Sequence, residues 1–64
     1  MEIYRLSAVD LNNTKVFYFD TYENAYQWAI EHNWYFHISI FKVTLEIGKY
    51  GAIKEKSVET IFEK

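Results

Sequence analysis

Sixty-four residues, half of them hydrophobic and a fifth aromatic, with no cysteine, no proline and a formal charge of −2, make at most one domain (residues 1–64), without disulfides or a thiolate metal site. This composition excludes an intrinsically disordered segment, and the charge builds neither the basic field of a duplex nucleic-acid binder nor the acidity of a DNA-mimicking decoy. A chain this short buries only about 60% of the surface its unfolded state exposes, so association with a partner is the compensation to expect.

The start "MEIYRL" has no basic region followed by a long apolar stretch, and no apolar run approaches the ~18 residues of a membrane span. A cytoplasmic location is the default expectation. "EIYRLSAVD" alternates weakly, with Tyr4, Leu6 and Ala8 on one face and Ile3 and Val9 on the other, and is taken as the first strand. In "LNNT" the paired asparagines tolerate positive φ and predict a hairpin turn. "KVFYFD" follows as the second strand. It is apolar on both faces, Phe17 and Phe19 on one and Val16 and Tyr18 on the other, which is the pattern of a strand covered on both sides.

"DTYENAYQWAIEHNW" predicts a helix. Asp20 is the expected N-cap, with Glu23 completing a capping box. Tyr22, Ala25, Tyr26, Ala29 and Ile30 form one stripe at 100° per residue, opposite Glu23, Asn24, Gln27 and Glu31. Asn33 is the expected left-handed residue at the helix end, and Trp34 is expected to fold back over Ala29. Trp28 stands outside the stripe, one turn from His32, and the two rings should pair.

"FHISIFKVTLEI" is the third strand, and its apolar positions change phase in the middle. Phe36, Ile38 and Ile40 share one face, whereas Phe41, Val43, Leu45 and Ile47 fall on the other, because the side-chain period of a strand is two. "GKYG" predicts a turn. "AIKEKSVETIF" predicts a fourth strand, although Val58, Ile61 and Phe62 also suit a terminal helical turn. The expected fold is therefore α+β, in the order ββαββ: a mostly antiparallel four-stranded sheet with one amphipathic helix packed on one face.

A helix of about thirteen residues spans roughly 20 Å and a strand of about twelve nearly 40 Å, so the helix covers only part of the third strand. Two outcomes compete. A bulge near Ser39 to Phe41 returns the distal set to the same core, or the strand is unbroken and Phe41, Val43, Leu45 and Ile47 form a second apolar patch. Monomers rarely expose such a patch beyond a few hundred square ångströms, and the second outcome predicts self-association through these four residues.

Sites for chemistry are sparse. His32 and His37, with Glu31, Glu23 or Asp20, give no convincing metal spacing, since one lies at the helix end and the other points away from the core. Ser7, Ser39 and Ser57 lie in predicted strands without a nucleophile turn, and no glycine-rich loop precedes a helix. No enzyme, metal or cofactor is expected. The expected role is that of a protein-interaction module forming a homodimer, with Trp28, Tyr35 and Tyr50 as aromatic anchors for a protein partner. Its size and composition have the look of the compact proteins encoded by phages and other mobile elements, and an inhibitor or adaptor acting on a host protein is the role this look implies. The alternative is single-stranded nucleic-acid binding, with open-face aromatics for stacking and Lys42, Lys49, Lys54 and Lys56 for phosphates.

Overall fold

A computed structural model describes residues 1–64. The elements are β1 (Glu2–Val9), β2 (Thr14–Phe19), α1 (Tyr22–Glu31), β3 (His37–Ile47) and β4 (Ile53–Glu63), with a short 3-10 turn at Lys49–Gly51. The four strands form one antiparallel sheet in the order β2-β1-β3-β4. The ββαββ order and α+β class are those expected from the sequence, and residues 57–63 are strand rather than helical turn.

The local chemistry of three junctions differs from expectation. Between β1 and β2 the turn is held by Asp10, whose Oδ1 accepts from the amides of Asn12 and Asn13, so neither asparagine needs a positive φ. Thr21, not Asp20, caps the helix, its hydroxyl accepting from the Asn24 amide, while Asp20 accepts from the Asn24 side chain. With the cap one residue later, Glu23 no longer stands at the capping-box position. At the other end the helix stops at His32, Asn33 is not left-handed, and Trp34 lies exposed against Tyr35 and His32 instead of over Ala29. The one non-glycine residue with positive φ is Tyr50 (65°), followed by Gly51 at 75° in the β3–β4 turn.

The core lies between α1 and the proximal half of the sheet. Leu6, Ala8, Ala25, Ala29, Tyr35, Ile38 and Ile40 are buried there, with Tyr4, Phe17, Phe19, Tyr22, Trp28, Ile61 and Phe62 packed around them. The buried face of the helix is centred on its alanines, which let the axis approach the sheet. Trp28 packs against this core, whereas Ile30 and Tyr26, expected in the stripe, stay about half exposed. Phe36 also departs from expectation. β3 begins one residue after it, and Tyr35 fills the core in its place while Phe36 faces solvent.

β3 runs through the phase change without interruption. Its pairing with β1 keeps one register from Val9↔His37 to Glu2↔Thr44. The register shifts occur only against β4, where Ile40 pairs with Phe62 but Phe41 with Thr60, and Thr44 with Ser57 but Leu45 with Glu55. The extra residues are thus Ile61 and Lys56, both on β4. The bulge expected in β3 sits in its neighbour, where it turns Val58 and Thr60 to the same side as Phe41 and Val43.

Candidate functional site

Alternation along the paired strands places every side chain on one of two faces. On the helix side of the distal half, the register brings together Glu2, Lys42, Thr44, Glu46, Lys54, Ser57 and Glu59, all polar. On the opposite side stand Ile3, Phe41, Val43, Leu45, Ile47, Ile53 and Val58. In the proximal half Leu6, Ala8, Ile38 and Ile40 lie under the helix, and the other side is mostly polar on the inner strands, with Ser7, Ser39, His37 and Glu63, but also carries Val9 and, on β2, Val16 and Tyr18. The sheet therefore exchanges its apolar side halfway along its length. The ten-residue helix, about 15 Å long, covers one apolar half and leaves the other without a covering layer.

This open face has its own internal cover at the centre. Arg5 on β1 and Glu55 on β4 are not on adjacent strands, yet their side chains meet at 3.2 Å. Arg5 stands opposite Phe41 and Glu55 opposite Leu45, so the bridge crosses β3 at the level of Val43. The Arg5 guanidinium lies 5.4 Å from the centre of the Phe41 ring, a cation–π distance. Val43 is left 1% exposed, and Phe41 and Leu45 are half-buried. Around this lid Ile47 and Ile53 are each 62% exposed, and Val58, Val16 and Tyr18 are also open.

Of the four residues expected to self-associate, Ile47 is the most exposed, Phe41 and Leu45 are half-buried, and Val43 is beneath the Arg5–Glu55 bridge. Ile53, Val58 and Tyr18 complete the surface. The sequence hid Val58 and Ile53 because their strand parity shifts at each β4 bulge, and no residue type in "AIKEKSVETIF" marks a bulge position.

The three aromatic anchors separate. Tyr35 is buried in the core at 8% exposure, and Trp28 is half-buried against Phe17 (4.8 Å between ring centres), Tyr35 and His32. The Trp28–His32 rings stack at 3.9 Å and 6°, and His32 Nδ1 lies 2.8 Å from the Trp28 carbonyl oxygen. Tyr35 is thus enclosed in the isolated chain, whereas Trp28 keeps part of its ring accessible. Tyr50 is fully open at the tip of the β3–β4 hairpin.

The lysines of the nucleic-acid alternative do not converge on the open face. Lys42 and Lys54 are on the helix side, paired with Glu2 at 3.2 Å and Glu46 at 3.7 Å. Lys56 is the bulged residue of β4, and Lys49 lies over its neighbour Tyr50. The hydrogen bond and charge of Glu2 hold the Lys42 ammonium above the usual lysine pKa of 10.5. His37 turns toward Ser39 and Glu63, and no three His, Asp or Glu side chains stand close enough to share a metal. A shallow cleft of about 350 Å³ lies at the other end of the molecule, lined by Asp10, Leu11, Asn12, Asn13, Trp34 and Phe36. No helix is long and apolar enough to cross a membrane. Comparison of the chain with protein-family models, curated proteins and solved structures found no match.

Proposed function

We propose that this chain is a small non-enzymatic protein-interaction module that acts as an inhibitor or adaptor by laying the distal half of its open sheet face on another protein. One observation carries this: the exposed apolar row Ile47, Ile53 and Val58 beside Phe41 and Leu45, on the side of the sheet that no helix covers. Thr60 beside Phe41 and Glu55 beside Leu45 put polar groups on the same face, in the pattern of an apolar patch with a hydrated border. Arg5 and Glu55 at the centre give a partner two charged groups to match, which favours a chosen partner over indiscriminate apolar contact.

A face-to-face homodimer is less favoured than contact with a different protein. It would press two copies of the Arg5–Glu55 bridge into a dry interface, where the loss of hydration offsets much of the attraction. A nucleic-acid platform has less support again, because Lys42 and Lys54 lie on the helix side in ion pairs, and the apolar row contains no stacking ring other than Phe41, which Arg5 occupies.

The test is a comparison of three proteins as bait in the cells that encode the chain, with chemical crosslinking: wild type, Ile53→Lys on the open face, and Ser57→Lys on the helix side of the same strand. The expected result is one crosslinked protein shared by wild type and S57K and lost with I53K. Equal capture by all three, or loss with S57K alone, contradicts the assignment of the face.

A further inference from the structure

The sheet has two edges, β2 and β4, and they are not alike. β4 is interrupted by bulges at Lys56 and Ile61 and carries Lys54 and Lys56, with Lys64 just beyond its end. Bulges and lysines are the devices by which edges avoid pairing with another chain. β2 has neither a bulge nor, beyond Lys15, a charge within the strand, and its pairing with β1 is regular along its whole length.

The direction of its free backbone groups follows from the ladder. The Asp10 amide donates to the Asn13 carbonyl at 3.0 Å, and hydrogen-bonded and non-bonded pairs then alternate. Ala8↔Lys15, Leu6↔Phe17 and Tyr4↔Phe19 are thus the bonded pairs of β1 and β2. The Leu45 amide, which donates to the Met1 carbonyl at 2.7 Å on the other side of β1, fits the same alternation. Val16 and Tyr18 accordingly point their amides and carbonyls outward, away from β1.

We infer that this edge pairs with the same edge of a second copy, antiparallel about a two-fold axis at Phe17, so that two four-stranded sheets join into one of eight strands. Val16 of one protomer then stands opposite Tyr18 of its partner and exchanges both backbone hydrogen bonds with it, four bonds in all. Residues sixteen and eighteen share a face, so the two open faces stay on one side and the two helices on the other. Val16 against Tyr18 is a β-branched residue against an aromatic, a favourable cross-strand pair. Lys15 meets Phe19 rather than its own copy, and no like charges are opposed. On the helix side the Phe17 rings face one another beside the half-buried Trp28 of each copy.

This pairing accounts for the apolarity of β2 on both faces, which a solvent-facing edge does not need but a central strand does. It also moves self-association from Phe41, Val43, Leu45 and Ile47 to the edge. It stands independently of the use made of the open face, which it leaves uncovered and doubles in width.

Sedimentation velocity over a wide concentration range, together with amide exchange by NMR, tests it on four proteins: wild type, Val16→Lys, Tyr18→Pro and Ile53→Lys. V16K adds a charge at an exposed side chain, and Y18P removes an amide that no bond of the monomer uses, so one variant remains informative where the other fails to fold. Wild type should rise with concentration from 7.7 kDa to twice that mass, with exchange at the Val16 and Tyr18 amides slowing roughly tenfold or more. V16K and Y18P should stay at 7.7 kDa while I53K dimerises normally. A wild type that never exceeds one chain overturns the inference. So does a dimer that survives V16K and Y18P but is lost with I53K.

Discussion

Arg5 and Glu55 meet across a strand that belongs to neither of them. Their 3.2 Å contact, together with the stacking of the guanidinium on Phe41, covers Val43 on a side of the sheet that has no helix. The stems of long charged residues shield apolar surface as well as carrying charge, and the two roles are separable. The ion pair itself, with both partners partly exposed, is worth about 0–1 kcal/mol. Arg5→Ala should therefore cost more than Glu55→Gln, roughly 1–2 kcal/mol against less than about 1, by urea denaturation. Equal costs would mean that the guanidinium stem contributes nothing to the cover of Val43.

The two apolar halves of the sheet should respond differently to substitution. Ile40, fully buried under the helix, should lose about 2–5 kcal/mol on Ile40→Ala, enough to leave much of so small a domain unfolded. Ile53→Ser, on the uncovered half, should change stability by no more than about 0.5 kcal/mol. Thermal melts of the two variants provide the comparison.

The hairpin tip holds two successive residues at positive φ, Tyr50 and Gly51. Nothing lies within 4 Å of a Cβ placed on Gly51, so Gly51→Ala should cost only the backbone term, about 1 kcal/mol. Tyr50→Asn should stabilise by up to about 1 kcal/mol, because asparagine accepts this conformation more readily and the exposed ring gives up little packing. Denaturation midpoints of the two variants should move in opposite directions.

Glu2 raises the pKa of Lys42, so the charged lysine is favoured in the folded state. A raised folded-state value gives stability that is fully present below the unfolded pKa and lost as pH rises through the folded one. The window thus begins near the usual 10.5 and extends above it. Glu2→Gln should lower the Lys42 pKa toward 10.5 and remove this contribution at neutral pH, a small loss for so exposed a pair that disappears once the pH is above the folded-state value, as read from side-chain NMR titration and melts at neutral and high pH.

The fold was legible because its signals are periodic: the amphipathic helix, the two hairpins and the phase change in "FHISIFKVTLEI". The fact that β3 continues straight through that change was not legible, since a bulge in either β3 or β4 fits the same letters. Only the pairing with β1, fixed from His37 to Thr44, decides it. The aromatic anchors were legible as an excess but not as positions. Tyr35 and Phe36 are adjacent and equally apolar, and the start of β3 at His37 sends one into the core and the other into solvent. The helix cap is one residue later than expected for a similar reason, because Asp20 and Thr21 both suit the position by residue type, and it is Thr21 whose hydroxyl accepts from the Asn24 amide.

Methyl NMR with a soluble paramagnetic probe, at a concentration where the protein is dimeric, tests most directly that the distal apolar half of the sheet is an open binding face. The methyls of Ile47, Ile53 and Val58 should relax as strongly as those of any exposed residue, while Ile38 and Ile40 stay protected. Protection of Ile53 and Val58 equal to that of Ile40 would contradict the account, because the face would then be covered by the protein's own copy.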